Sequence, residues 1–212
     1  MIQVSKKHIY FLYRMKYLIA KSLENSISYS EYRTLVHDVL ADGKSTGFIQ
    51  SEALTNYSLL NDRRMKRLDK TIKITDETKA VFKSITEQQT WLVLTEGWCG
   101  DAAQNLPVIH KLAAENENIA LKIVLRDEHL ELMDLFLTNG GRSIPKVIVL
   151  DAQNNVKHTW GPRPTLATKI MAEYKAENGS IDAQFKQDLQ VWYNKNKGLS
   201  VQEDFVKMIP VL

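Results

Sequence analysis

Thr90-Trp91-Leu92-Val93-Leu94-Thr95-Glu96-Gly97-Trp98-Cys99-Gly100-Asp101-Ala102-Ala103 decides how the rest of the chain is read. Residues 90–95 are compact, apolar and β-prone, and the spacing from Gly100 onward turns helical. The stretch therefore predicts a buried strand, a tight turn, and a helix over 100–115 with a thiol at its start. Cys99 is the only cysteine among 212 residues, so no intrachain disulfide can form. At a first helical turn, free N–H groups and the macrodipole favour a thiolate and mark the sulfur as a candidate nucleophile. The competing reading is that an unpaired cysteine packs as a small, inert hydrophobe.

Downstream, the strand and helix signals continue to alternate. Residues 119–125 read as a strand, 130–137 as a helix stopped by Asn139-Gly140-Gly141, and 146–150 and 156–159 as strands joined by a hairpin-like connection. Helices over 165–174 and 181–196 follow. This order implies a mixed sheet with helices on both faces. Upstream the chain reads as helical, without a convincing strand. Ser28 and Glu31 form a capping box before Tyr32, Leu35, Val36, Val39 and Leu40, which share one face. Another helix covers 52–68 and a short one covers 76–85. We divide the chain into a helical N-terminal extension (1–74), an α/β domain (75–197) and a C-terminal tail (198–212).

Composition narrows the function classes. A hydrophobic content of 44% and a charged content of 25% describe a globular domain, and a formal charge of +3 gives no case for nucleic acid or membrane. The basic run 61–70 has interleaved acids and no stacking aromatics, so it reads as a solvated helix face. Arg14 and Lys16 interrupt the apolar run 9–13, which makes the first helix amphipathic rather than an export signal. Met15 is a second candidate start. His110 reads as structural, no metal-ligand spacing is present, and the sparing use of cysteine suits a reducing, cytoplasmic compartment.

Three motifs in order resemble the thioredoxin superfamily: Trp98-Cys99-Gly100-Asp101-Ala102 after an apolar strand, Pro107 within the following helix, and Ile144-Pro145 before residues 146–150. The runs Cys-Gly-Asp-Ala-Ala-Gln, Leu-Arg-Asp-Glu, Gly-Gly-Arg-Ser-Ile-Pro and Trp160-Gly161-Pro162-Arg163-Pro164 are similar to a bacterial branch with a helical N-terminal extension. The resemblance implies a thioredoxin-like α/β fold over residues 75–197, a cis peptide bond before Pro145, and thiol chemistry at Cys99.

Departures from the family pattern modify that chemistry. Ala102 replaces the second cysteine, so an external thiol, such as glutathione, must resolve any mixed disulfide. Val93 stands where the family carries a buried acid. Asp101 opposes the thiolate by about 0.7 to 2.8 kcal/mol at about 6 Å, against about 0.3 to 1 kcal/mol, and up to about 2, from the helix end, so the two effects are of cancelling size. Arg142 is expected to neutralise Asp101 or to lie over the sulfur. Trp98 is expected to shield the thiol, Gly100 to open the helix, and Ile144 and Pro145 to orient a partner. Trp160 is expected to pack against the Gly161-Pro162 turn.

The resulting expectation is a monothiol protein that exchanges disulfides or senses oxidants, with protein or low-molecular-weight thiols as partners and no resident cofactor. The alternatives are a non-catalytic interaction module, and a glutathione-dependent iron–sulfur site shared between two chains.

Overall fold

The computed structural model describes residues 6–209. Its centre is a four-stranded sheet in the order β2-β1-β3-β4, formed by β1 (Gln89–Thr95), β2 (Ile119–Leu125), β3 (Lys146–Asp151) and β4 (Val156–Trp160). β1 runs parallel to β2 and antiparallel to β3, and β4 pairs antiparallel with β3. The β3–β4 connection is tied by the Asp151 carboxylate, which accepts from the backbone N–H groups of Gln153 and Asn155.

Strand alternation divides the core between the two faces of the sheet. Trp91, Val93, Val147 and Val149 point into a cluster with Leu106, Ile109 and Leu112 of α5 (Gly100–Ala113), and with Met65 and Leu68 of α3 (Glu52–Thr71). Tyr32 and Val36 of α2 (Tyr29–Ala41) and Phe82 of α4 (Asp76–Lys83) close the same cluster. Leu92, Leu94, Ile148 and Leu150 face the other way, against Leu18 and Ile19 of α1 (Lys6–Glu24) and Leu132 and Met133 of α6 (Leu130–Met133). This is the mixed sheet with helices on both faces that the alternating pattern predicts, together with a helical N-terminal part. α7 (Thr165–Asn178) and α8 (Ala183–Asn196) build a smaller cluster around Phe185 and Leu189.

The capping box of α2 is present, with Ser28 and Glu31 each satisfying the other's backbone N–H. Several expectations need correction. The helix predicted over 130–137 ends at Met133. Residues upstream of 75 also reach the sheet, because Ile27 exchanges two backbone hydrogen bonds with Ile123 on the outer edge of β2. Pairing this edge blunts its capacity to recruit another strand. The predicted tail contains α9 (Leu199–Met208), whose Phe205 is fully buried against Trp91 and Trp160. The amphipathic spacing of 201, 205 and 208 carried this signal. Residues 1–5 and 210–212, part of the export-signal and tail readings, lie outside the described residues.

Candidate functional site around Cys99

Cys99 is the N-cap of α5, and the Ala102 N–H points at its sulfur across 3.4 Å. The thiol in turn donates to the Ile144 carbonyl at 3.2 Å. Ile144 precedes Pro145 through a cis peptide bond, and the Gly161–Pro162 bond is also cis. The structure therefore brings Cys99 and Ile144 together, from the two segments the sequence singled out.

Cys99 is only 8% exposed, and burial dominates its ionisation. Desolvation, followed by the Asp101 charge, pushes the Cys99 thiol up to about 12, while the Ala102 and Asp101 N–H groups and Arg163 pull it down. The expectation that the helix start favours a thiolate is thus outweighed. At neutral pH the group rests protonated, consistent with its role as donor to Ile144.

The cation at Asp101 also differs from expectation. Arg142 binds Asp134 through two hydrogen bonds of 2.6 and 2.9 Å at a half-exposed site. Arg163 takes the anticipated place, with its Nη2 2.6 Å from Asp101 Oδ2. The reason is positional: the turn after β4 aims Arg163 at the start of α5, while Asp134, just after α6, is near enough to claim Arg142. The Tyr193 hydroxyl donates to the other Asp101 oxygen at 3.0 Å and accepts from Asn105. Burial raises the Asp101 carboxyl, and Arg163 and Tyr193 oppose that rise. Arg163 keeps one buried nitrogen, Nε, without a partner, as does the Oδ1 atom of Asn105.

The turn before Cys99 is held by residues from the helical N-terminal part. Thr46 Oγ1 accepts from the Gly97 N–H at 2.8 Å, and Asn61 Nδ2 donates to the Gly97 carbonyl at 3.0 Å. A Cβ at Gly97 would lie 3.3 Å from Val36 and 3.5 Å from Thr46, so the close approach favours glycine. Trp98 is half-buried beside the Cys99 cluster, with the Arg126 guanidinium 4.8 Å from its ring centre. Gly100 lies near Arg64 and Gln190.

Glu96 escaped the sequence reading. Val93 fills the position where the family carries a buried acid, yet a carboxyl three residues before Cys99 is completely buried. Its Oε1 accepts from the Asp127 N–H, while Oε2, the Tyr32 hydroxyl and Thr95 Oγ1 have no partner. Burial pushes this carboxyl above its ordinary range. Nothing in the local sequence distinguishes it from a solvated glutamate.

Other residues have structural partners. His110 stacks on Tyr29 at 4.1 Å, and Trp160 donates its indole N–H to Asp204. In the basic run, Asp62 and Asp69 pair with Arg33, while Arg67 donates to Asn194. Among the described residues, no group of three His, Cys, Asp or Glu side chains is arranged to hold a metal, and no helix is long and apolar enough to cross a membrane.

The family profile described as Thioredoxin matches residues 47–175, more than half of the chain. The chain belongs to the thioredoxin family. The matched span contains Cys99, Ile144 and Pro145, and it begins upstream of residue 75. A protein of unknown function from Pseudomonas aeruginosa has a similar crystal structure, with a TM-score of 0.62 at 16% identity, covering 90% of this chain and 96% of that one. An HIV epitope-scaffold gives a TM-score of 0.56 at 18% identity, covering 88% and 99% of the two chains. At these identities the likeness is one of fold. Comparison with curated proteins gives no match.

Proposed function

We propose that this thioredoxin-family protein performs thiol–disulfide exchange or thiol redox sensing through Cys99, with an external thiol completing the cycle. The observation that carries this reading is the placement of the sulfur between the first turn of α5 and the Ile144 carbonyl. In the exchange step, deprotonated Cys99 attacks one sulfur of a disulfide RS–SR′. The S–S bond breaks, R′S⁻ leaves and takes up a proton, and Cys99 is left bonded to RS. A second thiol, R″SH, attacks that bond, releasing RS–SR″ and returning the Cys99 thiol. Ala102 leaves the external thiol as the only resolving group. The reaction reads as slow at neutral pH, because a thiol pushed up to about 12 is almost wholly protonated there. Pro145 and the backbone beside it would orient the incoming disulfide. Arg163 would steady Asp101 and support the developing thiolate.

Burial of the sulfur favours a second reading, in which the fold serves as a protein-interaction module and Cys99 is part of its core. The iron–sulfur reading fits poorly: a cluster shared between chains needs a sulfur at the surface, and this one is buried and hydrogen-bonded within the chain. Reduction of a small disulfide with glutathione present separates the first two readings. Exchange predicts turnover in the wild type and its loss in Cys99→Ser. Equal rates in both proteins would assign the fold to the interaction role.

A further inference from the structure

The acids interleaved in the basic run of α3 do not neutralise it. Asp62 and Asp69 both turn to Arg33 of α2, at 2.9 and 3.5 Å, and Asp69 also accepts from the Tyr29 hydroxyl. At about 100° per residue, Arg64 and Arg67 fall on the opposite side of the helix from these acids. Arg67 donates to Asn194 of α8 at 2.6 Å, and Arg64 donates to Asn61 at 3.0 Å. Among the described residues, neither arginine pairs with a carboxylate. Arg64 is half-buried, and burial together with the Arg67 charge pulls its pKa below the ordinary guanidinium range. A cation held partly out of water beside another cation is destabilising until an anion joins it.

Arg64 stands at the thiol corner. Apart from the chain neighbours and the backbone of α5, a Cβ placed on Gly100 would meet two atoms within 4 Å, Arg64 Nη1 and Gln190 Nε2, each at 3.8 Å. Gly100 follows Cys99 and is partly exposed, so nitrogen donors from α3 and α8 converge on one point beside the thiol-bearing residue. The Gln190 oxygen accepts from Gln104 at 2.8 Å, which leaves its nitrogen on the Gly100 side. The first turn of α5 adds the positive end of its dipole. The nearby acids are engaged elsewhere. Asp101 is bound by Arg163 and Tyr193, while Asp188, two residues from Gln190, faces the other side of α8 and accepts from Gln184.

We propose that Arg64 and Gln190 form a carboxylate-binding subsite beside Cys99, selecting small thiols and disulfides that carry a carboxylate close to the sulfur. The proposal rests on the exchange reading of Cys99 and names the substrate class of that site. The guanidinium and the amide each donate to the carboxylate, which passes through the exchange step unchanged. The subsite gives the helical N-terminal part a share in substrate choice, and it gives Arg64 the anion that the fold does not supply.

The test compares three small disulfides at one pH: dianionic dithiodipropionate, neutral hydroxyethyl disulfide and cationic cystamine, with adduct formation at Cys99 followed by intact-mass spectrometry. The ratio of the anionic to the neutral rate is the readout, because a changed thiol pKa acts on all three alike. Wild type should favour the anion by about 5- to 20-fold, and the preference should shrink as salt is raised. Gln190→Glu keeps an acceptor for Gln104 and should bring the ratio to unity or below, with cystamine becoming preferred. Arg64→Ala should also lower the ratio, and Arg64→Lys should restore part of it. Equal wild-type rates for the three disulfides would overturn the subsite and leave exchange standing. A slowing of Arg64→Ala shared equally by all three would also overturn it, assigning Arg64 to the support of Asn61 alone. S-methylglutathione, which has carboxylates and no free thiol, separates the two readings in an NMR titration: wild type and Cys99→Ser should bind it alike, and Gln190→Glu should not. Such binding without any disulfide adduct would refute exchange and retain the subsite, whereas neither binding nor adduct would overturn both.

Discussion

Replacing Asp101 with Asn should make Cys99 more reactive, although it removes a charged residue from the site. The carboxylate is the second-largest influence holding the thiol up, after burial. At about 6 Å its charge is worth about 0.7 to 2.8 kcal/mol against the thiolate, so its loss should lower the thiol pKa by about 0.5 to 2. Arg163, released from its 2.6 Å pairing, would act in the same direction. Nucleophilicity falls as pKa falls, with a Brønsted slope of about 0.4 to 0.5, so roughly half of the logarithmic gain survives in the rate. The expected acceleration at neutral pH is about 2- to 10-fold. Stopped-flow reaction with a dipyridyl disulfide, followed from neutral to alkaline pH, measures both the rate and the apparent pKa. The variant should also lose about 1 to 3 kcal/mol of stability, since Arg163 and the Tyr193 hydroxyl lose a charged acceptor. A folded variant whose thiol reacts no faster than wild type would refute this electrostatic reasoning.

The two arginines give a paired test in the same assay: Arg142→Ala should leave the Cys99 rate at its wild-type value, whereas Arg163→Met should slow it, and the reverse order would restore the sequence-based assignment. Glu96→Gln concerns a carboxyl whose folded-state pKa is raised, so the stability it contributes is present below the ordinary carboxyl range and is lost as pH rises through the raised value. Chemical denaturation from acid to neutral pH should show the variant gaining on wild type as pH rises; parallel curves would contradict the assignment. Thr46→Val strands the Gly97 N–H in a buried turn and should cost about 1 to 3 kcal/mol by thermal or denaturant unfolding, and a neutral result would mean the turn is held otherwise.

The α/β pattern was legible because local chemistry and burial agree along it. Residues 119–125 read as a strand and form one, and the Ser28 and Glu31 side chains needed no distant partner to define a helix start. The site was legible where it depended on sequence order, as with Cys99 at the helix start. It was illegible where it depended on which distant residues meet. Arg142 and Arg163 are both arginines in loops bordering the last strands, and only the presence of Asp134 near one and Asp101 near the other separates them. Thr46 and Asn61 reach Gly97 from 51 and 36 residues away, a long-range closure with no local signature. Burial was the largest omission, since it reverses the expected ionisation of Cys99 and hides Glu96. α9 is short and follows a helix break at Gly198, so it reads locally as a tail, although Val201, Phe205 and Met208 fall on one helical face.

Incubating the full chain with glutathione disulfide, followed by intact-mass spectrometry and then reduced glutathione, tests the central claim most directly. The account predicts one glutathione bound per chain, located at Cys99, formed faster as pH rises, and released by the added thiol to regenerate the starting mass. No adduct on the folded protein, even at alkaline pH, would contradict it and leave Cys99 as a core residue of an interaction module.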